Sequence, residues 1–245
     1  MRGKSHGAVG ILTAIQTSIM FKIPISIVGI LVAAIFSILP DLDQPNSSIS
    51  QFIFKNDISK YIYKIFIYLV NVIIFFVSIN INENFYISAI VTFIAIIIIE
   101  AKITHSLIRK VFLSLIFILL AISLYFINVP IYFVMFALIF AVFPWLKHRS
   151  FSHSIFAVIM IYFILKQIEL VSGFEYLSVY GTIAYGSHIF LGDLFTKQGV
   201  PLFYPISDKK ISLGFLKVGS KFSNFAEYLF ILALLLIVLF SIYKL

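Results

Sequence analysis

Histidine and aspartate residues that could do chemistry lie in four short blocks, each beside an apolar run. His6 follows the N-terminus, Asp41 and Asp43 lie in LPDLDQPNS, and two further blocks read HRSFSHS and SHIFLGD. Neutral imidazoles and carboxylates are donors that bind hard or borderline divalent metals. If the chain brings the four blocks together, they predict a metal site.

Each block also has a simpler interpretation when it is taken alone. The two aspartates could accept backbone N–H bonds in a polar turn, and Ser152 in HRSFSHS could be the N-cap of the following helix. His6 could be a solvated terminal residue, and SHIFLGD could hold an interfacial histidine and a solvated aspartate. The metal interpretation therefore depends on convergence of the blocks.

The composition indicates whether the protein that positions these blocks is water-soluble or embedded in a membrane. Hydrophobic residues make up 62% of the chain, charged residues 11%, and the mean hydropathy is +1.10, values that are typical of an integral membrane protein. The chain has no cysteine, so disulfides and thiolate ligands are excluded. Because no linker-like segment divides the sequence, we expect a single membrane domain over residues 1–245.

Hydropathy predicts an all-α, polytopic transmembrane bundle of about nine spans, since a spanning helix needs roughly 17–25 apolar residues. The predicted spans are Gly7–Met20, Ile23–Leu39, Tyr61–Ile81, Phe85–Ala101, Val111–Ile127, Val129–Leu146, Ser154–Leu170, Tyr176–Gly192 and Phe225–Tyr243. The first two could instead form a short hairpin that is kinked at Pro24.

Lysine and arginine residues set the predicted orientation of this bundle. Lys22, Lys166 and Lys244 fall on or near one side, and the remaining 15 of the 18 fall on the other, which the positive-inside rule assigns to the cytoplasm. The formal net charge of +8 then indicates attraction to anionic membrane lipids rather than to nucleic acid. We expect a multi-pass protein of the cytoplasmic membrane.

The predicted threading also brings the candidate residues to one side of the membrane. All five histidines and three of the five aspartates, Asp41, Asp43 and Asp193, fall at the cytoplasmic ends of the predicted spans. A threading drawn from hydropathy and charge alone did not have to collect them there. This convergence favours a metal site that faces the cytoplasm.

The motif blocks also resemble a known family. LPDLDQPNS, HRSFSHS and SHIFLGDLFTKQGVPLFYP, with a histidine just after the N-terminus, are similar to the YdjM-like membrane-bound metal-dependent hydrolases, which are associated in some bacteria with the LexA regulon. The resemblance implies a divalent metal, a hydrolytic activity and a distant similarity to zinc-dependent phospholipases C. The ligand set that it implies is His6, Asp41, Asp43, His148, His153, His188 and Asp193.

The sequence departs from the family pattern in three places: Ser150 and Ser152 stand where glycine and threonine are usual, and the other two departures concern possible ligands. The family reads PD-x-DHP where this chain has Gln44, so one possible ligand is missing. It spaces histidine and aspartate as H-x3-D, whereas His188 and Asp193 are five residues apart, about 140° out of register on a regular helix. Gly192 could end the helix early, a bulge could re-aim Asp193, or Asp193 is not a ligand.

Seven donors exceed the four that one tetrahedral zinc requires, so the site could hold two or more ions with an aspartate between them. Such ions activate water for hydrolysis near neutral pH. We expect Asp43 and Arg149 to be catalytic, because the guanidinium of Arg149 could hold a phosphate oxygen. The expected substrate is a phosphoester of a lipid or of another membrane-associated molecule, although positive-inside placement also explains Arg149.

Functions from other classes stay open on the sequence alone. A divalent-metal transporter would place histidines and acids near the bilayer midplane on broken helices. A non-catalytic membrane protein could bind the metal without reacting further. Metal content and chelator-sensitive activity separate these alternatives from a hydrolase.

Three polar residues lie outside the motif blocks. His105, in ITHSLIRK, could supply the imidazole that is missing at Gln44, with Glu100 holding its second nitrogen, or it could be an interfacial histidine. Glu100 and Glu227 could orient metal-bound histidines or could snorkel to nearby lysines.

Overall fold

The computed structural model describes residues 3–44, 47–214 and 216–244. Arg2, one of the 18 basic residues counted above, and Pro45 and Asn46 of the LPDLDQPNS block lie outside the described residues. The described part is all helical, with only isolated β-bridges between Thr196 and Leu216 and between Val200 and Ile211. Its α-helices are α1 (Gly3–Met20), α2 (Ile27–Phe36), α3 (Ser48–Ile53), α4 (Asn56–Asn82), α5 (Phe85–Lys102), α6 (His105–Phe126), α7 (Ile131–Val142), α8 (Ile155–Ser172), α9 (Leu177–Ser187) and α10 (Lys221–Tyr243).

Five helices of the described residues are long and apolar enough to span a membrane: α4, α5, α6, α8 and α10. They coincide with five of the predicted spans, and the all-helical membrane bundle is confirmed. The prediction of about nine spans is wrong. The hydropathy windows over Gly7–Met20, Ile23–Leu39, Val129–Leu146 and Tyr176–Gly192 do not correspond to spanning helices.

Length and polarity explain why these four windows fail. α2, α7 and α9 have 10, 12 and 11 residues, so each is only about 15–18 Å long, well short of a hydrocarbon core of about 30 Å. α1 has 18 residues but carries Lys4 and Gln16. Pro24 lies between α1 and α2, and Pro144 lies in a 3₁₀ turn after α7, which are breaks that a hydropathy average does not detect.

The short helices form the centre of the bundle, where α9 packs against α1, α2 and α8. Glycines make these contacts close, as small residues do between membrane helices. A Cβ at Gly29 would lie 2.6 Å from the ring of Tyr180, and a Cβ at Gly10 would lie 2.2 Å from Cβ of Ser37. The first turns of α1 are thereby held against the end of α2, where the LPDLDQPNS block begins.

The start of α8 differs from the simpler interpretation of HRSFSHS. The N-cap is Ser154, whose side chain accepts a hydrogen bond from the N–H of Ala157 at 3.2 Å. Ser152 lies two residues earlier, inside the 3₁₀ turn Phe151–His153, and its side chain is completely buried. The interpretation of Ser152 as a helix cap is therefore wrong, and its hydroxyl is available for the site described next.

Candidate metal centre

Three short segments and the first turns of α1 bring the predicted ligands to one end of the bundle. A 3₁₀ turn, Leu39–Asp43, follows α2, a second, Phe151–His153, precedes α8, and a π-helical turn, His188–Gly192, extends α9. Six predicted ligands form two groups whose donor atoms lie within 4.8 Å of one another: His6 with His188 and Asp193, and Asp41 with His148 and His153.

Four donor atoms drawn from both groups lie close to one another. Nε2 of His153 is 3.2 Å from Oδ2 of Asp193 and 3.8 Å from Oδ1 of Asp41. Nε2 of His188 is 3.6 Å from the same Asp41 oxygen and 3.7 Å from the same Asp193 oxygen. Ligand atoms around a tetrahedral zinc with bonds of 2.0–2.2 Å lie about 3.3–3.6 Å apart. The separations therefore fit a shared metal ion.

Three of these four atoms, and one nitrogen of His6, lack hydrogen-bond partners among the described residues. Nε2 of His153, Nε2 of His188, Oδ2 of Asp193 and Nδ1 of His6 are all buried without one. Buried polar atoms that stay unpaired are costly, so their clustering needs an explanation. A divalent cation would satisfy them together, and this donor set fits such an ion.

Hydrogen bonds on the far sides of two rings turn the Nε2 atoms inward. Nδ1 of His188 donates to the backbone carbonyl of Ser37 at 2.7 Å. Nδ1 of His153 lies 2.9 Å from the hydroxyl of Ser152, and that hydroxyl donates to Asp43 at 2.6 Å, so the ring nitrogen is the donor to Ser152. In both rings Nε2 is thus the nitrogen available to a metal.

Asp43 lies behind the donor atoms rather than among them. Its Oδ1 accepts from Nδ1 of His148 at 2.8 Å, and its Oδ2 accepts from Ser152 and from the N–H of Arg149 at 3.2 Å. Because both oxygens are engaged, Asp43 orients His148 directly and His153 through Ser152. This geometry favours a positioning role over the predicted ligand and catalytic roles of Asp43.

The π-helical turn accounts for the unusual spacing of His188 and Asp193. The N–H of Asp193 donates to the carbonyl of His188, five residues earlier, which is the π-helical pattern. Oδ2 of Asp193 consequently lies 3.7 Å from Nε2 of His188. Of the three alternatives drawn from the sequence, the structure has the bulge that re-aims Asp193.

His6 enters the centre from α1 and is almost completely buried, at 2% exposure. Its ring stacks on that of His188, with centroids 3.6 Å apart and planes inclined by 13°, and its Nε2 is 3.9 Å from Oδ1 of Asp193. A Cβ at Gly192 would lie 2.3 Å from Cε1 of His6. The histidine fits only because residue 192 has no side chain.

Comparison with known proteins gives one decisive match, which covers residues 1–245. The chain belongs to the YdjM inner membrane protein family. No curated protein and no solved structure matches the chain. The family resemblance inferred from the motif blocks is confirmed, and the family together with the apolar helices identifies a membrane protein.

Arg149 of this YdjM-family protein is buried beside Asp193. Its Nη2 donates to Oδ1 of Asp193 at 2.7 Å, and its Nη1 donates to Thr196 at 2.9 Å and to the carbonyl of Gly199 at 3.2 Å. The backbone at Arg149 has φ of 57°, a left-handed conformation that costs about 1–2 kcal/mol. These contacts favour Arg149 as the residue that fixes Asp193, whereas its predicted contact with a phosphate stays a prediction.

The residues of the centre lie outside the five candidate spans. Burial and neighbouring charges shift the pKa values of three of them, His6, His188 and Asp193. Burial, aided by His188, lowers the pKa of His6 well below its usual value. Burial would raise the pKa of Asp193, but His153 and His188 lower it well below its usual value. Burial would lower the pKa of His188, but Asp41 and Asp193 raise it to about 10. A proton therefore competes with a metal at His188, whereas His6 is neutral and Asp193 is ionised.

Among the described ligands, only Asp41 and His148 are partly exposed, so the centre is open to solvent at one edge. The side chain of His148 is 34% exposed and that of Asp41 is 15% exposed, whereas His6, His153, His188 and Asp193 are buried. Water and a substrate can therefore approach at the edge formed by Asp41 and His148.

The three residues outside the motif blocks do not belong to either donor group. His105 contacts the hydroxyl of Ser59 through Nε2, so the structure does not place it as a replacement for the imidazole missing at Gln44. Glu100 is exposed on α5. Glu227 is buried on α10 and accepts a hydrogen bond from Ser5 at 2.7 Å, which ties α10 to the residue before His6.

Sequence reasoning missed three residues that support the site: Ser37, Thr196 and Tyr185. The hydroxyl of Tyr185 donates to the carbonyl of Ser152 at 2.6 Å, and burial raises the pKa of this tyrosine well above its usual value. Ser37 lies two residues before the LPDLDQPNS block, and Thr196 lies three residues after SHIFLGD. The positions of Ser37 and Thr196 at helix breaks could have indicated a role in the site. Tyr185, by contrast, cannot be distinguished in the sequence from an ordinary aromatic residue of the core.

Proposed function

We propose that this membrane protein is a metal-dependent hydrolase. The observation that carries the proposal is a group of four donor atoms with separations of 3.2–3.8 Å, three of which are buried with no hydrogen-bond partner among the described residues. The metal is a divalent ion, zinc or one of similar chemistry, and the two adjacent donor groups suit one ion or a pair. The proposed ligands are His6, Asp41, His148, His153, His188 and Asp193.

The protein supplies a rigid and largely dry setting for the reaction. When bound, the ion supplies activated water and stabilises negative charge on a reacting oxygen. Asp43 fixes the ring of His148 through Nδ1, and Arg149 fixes the carboxylate of Asp193. A substrate has to approach at the edge of Asp41 and His148, where the exposed ligand atoms lie.

The proposed substrate is a phosphoester of a membrane lipid or of another membrane-associated molecule, and the site is proposed to face the cytoplasm. Support for the orientation comes from the charge bias, since among the described basic residues only Lys22, Lys166 and Lys244 lie toward the helix ends opposite the centre. The same bias supports contact with anionic lipids at the face that carries the centre.

Hydrolysis by the purified protein tests this proposal. A chromogenic phosphodiester and phosphatidylglycerol in mixed micelles are incubated with wild-type protein, with chelator-treated protein and with chelator-treated protein to which zinc or manganese is returned. We expect hydrolysis of at least one substrate that the chelator removes and metal restores. His153→Ala should lose the activity and His105→Ala should keep it.

The same proteins, assayed also for metal binding and for zinc flux, distinguish the alternative functions. Equal activity in His153→Ala and wild-type protein would show that the hydrolysis does not come from this site. Metal binding without hydrolysis of either substrate, with zinc flux into proteoliposomes, would favour a divalent-metal transporter. Metal binding with neither hydrolysis nor flux would favour a non-catalytic metal-binding protein.

A further inference from the structure

An apolar cavity lies beside the candidate metal centre, bounded by α2, α3, α6 and α7. Its volume is about 660 Å³, and every lining side chain is alanine, isoleucine, leucine or phenylalanine. Pockets of this size hold small-molecule ligands. A polar ligand would lose its hydration in this cavity without gaining a hydrogen bond, so the lining selects hydrocarbon.

The wall of this cavity is the segment that builds the metal centre. Phe36, Ile38 and Leu39 line the cavity. Between them, the carbonyl of Ser37 accepts the hydrogen bond from Nδ1 of His188, and two residues after Leu39 the carboxylate of Asp41 belongs to the donor group. The cavity and the centre are therefore two sides of one short stretch of backbone.

The cavity extends from this wall along a membrane-spanning helix. Phe117 and Leu124 both line it, and the seven residues that separate them correspond to about 10 Å along α6. Ala137 and Phe140 of α7 form a buried wall at 3% and 4% exposure, whereas Phe52 on α3 is 89% exposed. One side is thus closed by protein, and the other can admit a chain from the bilayer.

We propose that the cavity binds one acyl chain of a phospholipid whose phosphoester lies at the edge of Asp41 and His148. This inference rests on the proposed hydrolase function, and it specifies the substrate as a lipid with a chain long enough to enter the cavity. The bilayer supplies hydrocarbon at this depth, and the shared wall places the head of a chain bound there beside the donor atoms. The cavity therefore selects membrane lipids over water-soluble phosphoesters.

Photocrosslinking with a defined lipid tests the site. The probe is phosphatidylglycerol with a diazirine at the end of one acyl chain, incorporated into nanodiscs that contain the purified full-length protein. After irradiation, mass spectrometry of peptides locates the labelled residues. We expect labelling concentrated on the walls from α2, α6 and α7, and competition by unlabelled long-chain phosphatidylglycerol.

Two matched variants decide whether the labelling comes from the cavity. Ala137→Phe fills the cavity from a buried wall, and Ala95→Phe makes the same change on α5, away from the cavity lining. We expect Ala137→Phe to lose most of the wall labelling while it keeps the metal content of wild-type protein, and Ala95→Phe to keep both. If Ala137→Phe loses its metal, Ala34→Phe replaces it, since Ala34 lines the same cavity.

The outcome separates this inference from the proposed function. Labelling spread evenly over α4, α5 and α10, or unchanged by the cavity-filling variant, would overturn the acyl-chain site even if the protein proves to be a metal-dependent hydrolase. Wall labelling that persists in His153→Ala, which lacks metal and activity in our proposal, supports a lipid site that forms independently of the metal. Faster hydrolysis of a six-carbon than of a sixteen-carbon phosphatidylglycerol in micelles would also contradict the proposed selectivity.

Discussion

Nε2 of His153 lies 3.2 Å from Oδ2 of Asp193, although His153 lies just before α8 and Asp193 lies after the end of α9. Nδ1 of His153 already donates to Ser152, and neither of the facing atoms has a hydrogen-bond partner in the part of the chain that the structure describes. Two electron-rich atoms at this distance are mutually repulsive unless a positive charge lies between them. A metal ion bound by both residues would supply that charge.

Removing the carboxylate charge of Asp43 should weaken metal binding without abolishing it. In Asp43→Asn, the amide cannot accept equally from His148, Ser152 and the N–H of Arg149, so the rings of His148 and His153 lose their orientation. Supporting residues of this kind typically change metal affinity by about 10–100-fold. Competition with a chromophoric chelator measures the change.

The control for Asp43→Asn is Asp57→Asn, which makes the same substitution at an exposed position in the first turn of α4. It should keep wild-type affinity. Complete loss of metal in Asp43→Asn would instead indicate that Asp43 is itself a ligand.

Adding one methyl group at Gly192 should displace His6. In Gly192→Ala, the new Cβ would meet Cε1 of His6 at 2.3 Å and Nδ1 at 2.7 Å, so the ring has to leave its stack on His188. We expect lower zinc affinity, close to that of His6→Ala, as measured by chelator competition.

Gly186→Ala is the matched control, because its Cβ would have no neighbour nearer than 3.7 Å and should leave the affinity unchanged. If Gly192→Ala binds zinc as tightly as wild-type protein while His6→Ala does not, the stacked position of His6 is irrelevant to binding.

Zinc binding should tighten as the pH rises and should release a proton. The raised pKa of His188, about 10, keeps its imidazole protonated below that pH, so a metal has to displace the proton from Nε2. The apparent affinity should then rise about tenfold per pH unit for this one proton. Calorimetry in two buffers of different ionisation enthalpy counts the protons released. An affinity that is flat between pH 6 and 9, with no buffer dependence, would rule out this competition.

The candidate centre should face the cytoplasm. The natural chain has no cysteine, so single cysteines at the exposed positions Gln44, Lys147 and Lys197, all near the centre, report on its side of the membrane. We expect no reaction with an impermeant thiol reagent added to intact cells, and reaction after permeabilisation. Glu83→Cys, in the turn between α4 and α5 at the other end of the bundle, should react in intact cells. Labelling of any of the three site-side cysteines from outside would reverse the orientation.

The sequence predicted the membrane class, the five long spans and the residues of the centre better than it predicted the short helices. Long apolar helices such as α6 satisfy their own backbone hydrogen bonds, so local hydropathy is sufficient to find them. The window Tyr176–Gly192 was predicted as a span, but α9 ends at Ser187 and continues into a π-helical turn, where His188 and Asp193 are hydrogen-bonded to Ser37 and Arg149, far away in the chain. A window average has no access to such tertiary constraints.

The detailed roles within the centre depended on three-dimensional contacts in the same way. The spacing of Asp41 and Asp43 made them equivalent candidates, yet one faces the donor atoms and the other accepts hydrogen bonds from His148 and Ser152. His105 was a candidate to replace the imidazole missing at Gln44, but it contacts Ser59 instead. Residue type and spacing indicate which side chains can do chemistry, whereas the direction of each side chain follows from packing.

Metal content of the purified protein tests the central claim most directly. Wild-type protein, His153→Ala and His105→Ala are purified in detergent, equilibrated with zinc, passed through a desalting column and measured by inductively coupled plasma mass spectrometry. Wild-type protein and His105→Ala should retain at least one zinc per chain, and His153→Ala should lose most of it while eluting as the same species on size exclusion. Equal zinc in all three proteins, or none in any, would contradict a metal centre built on His153.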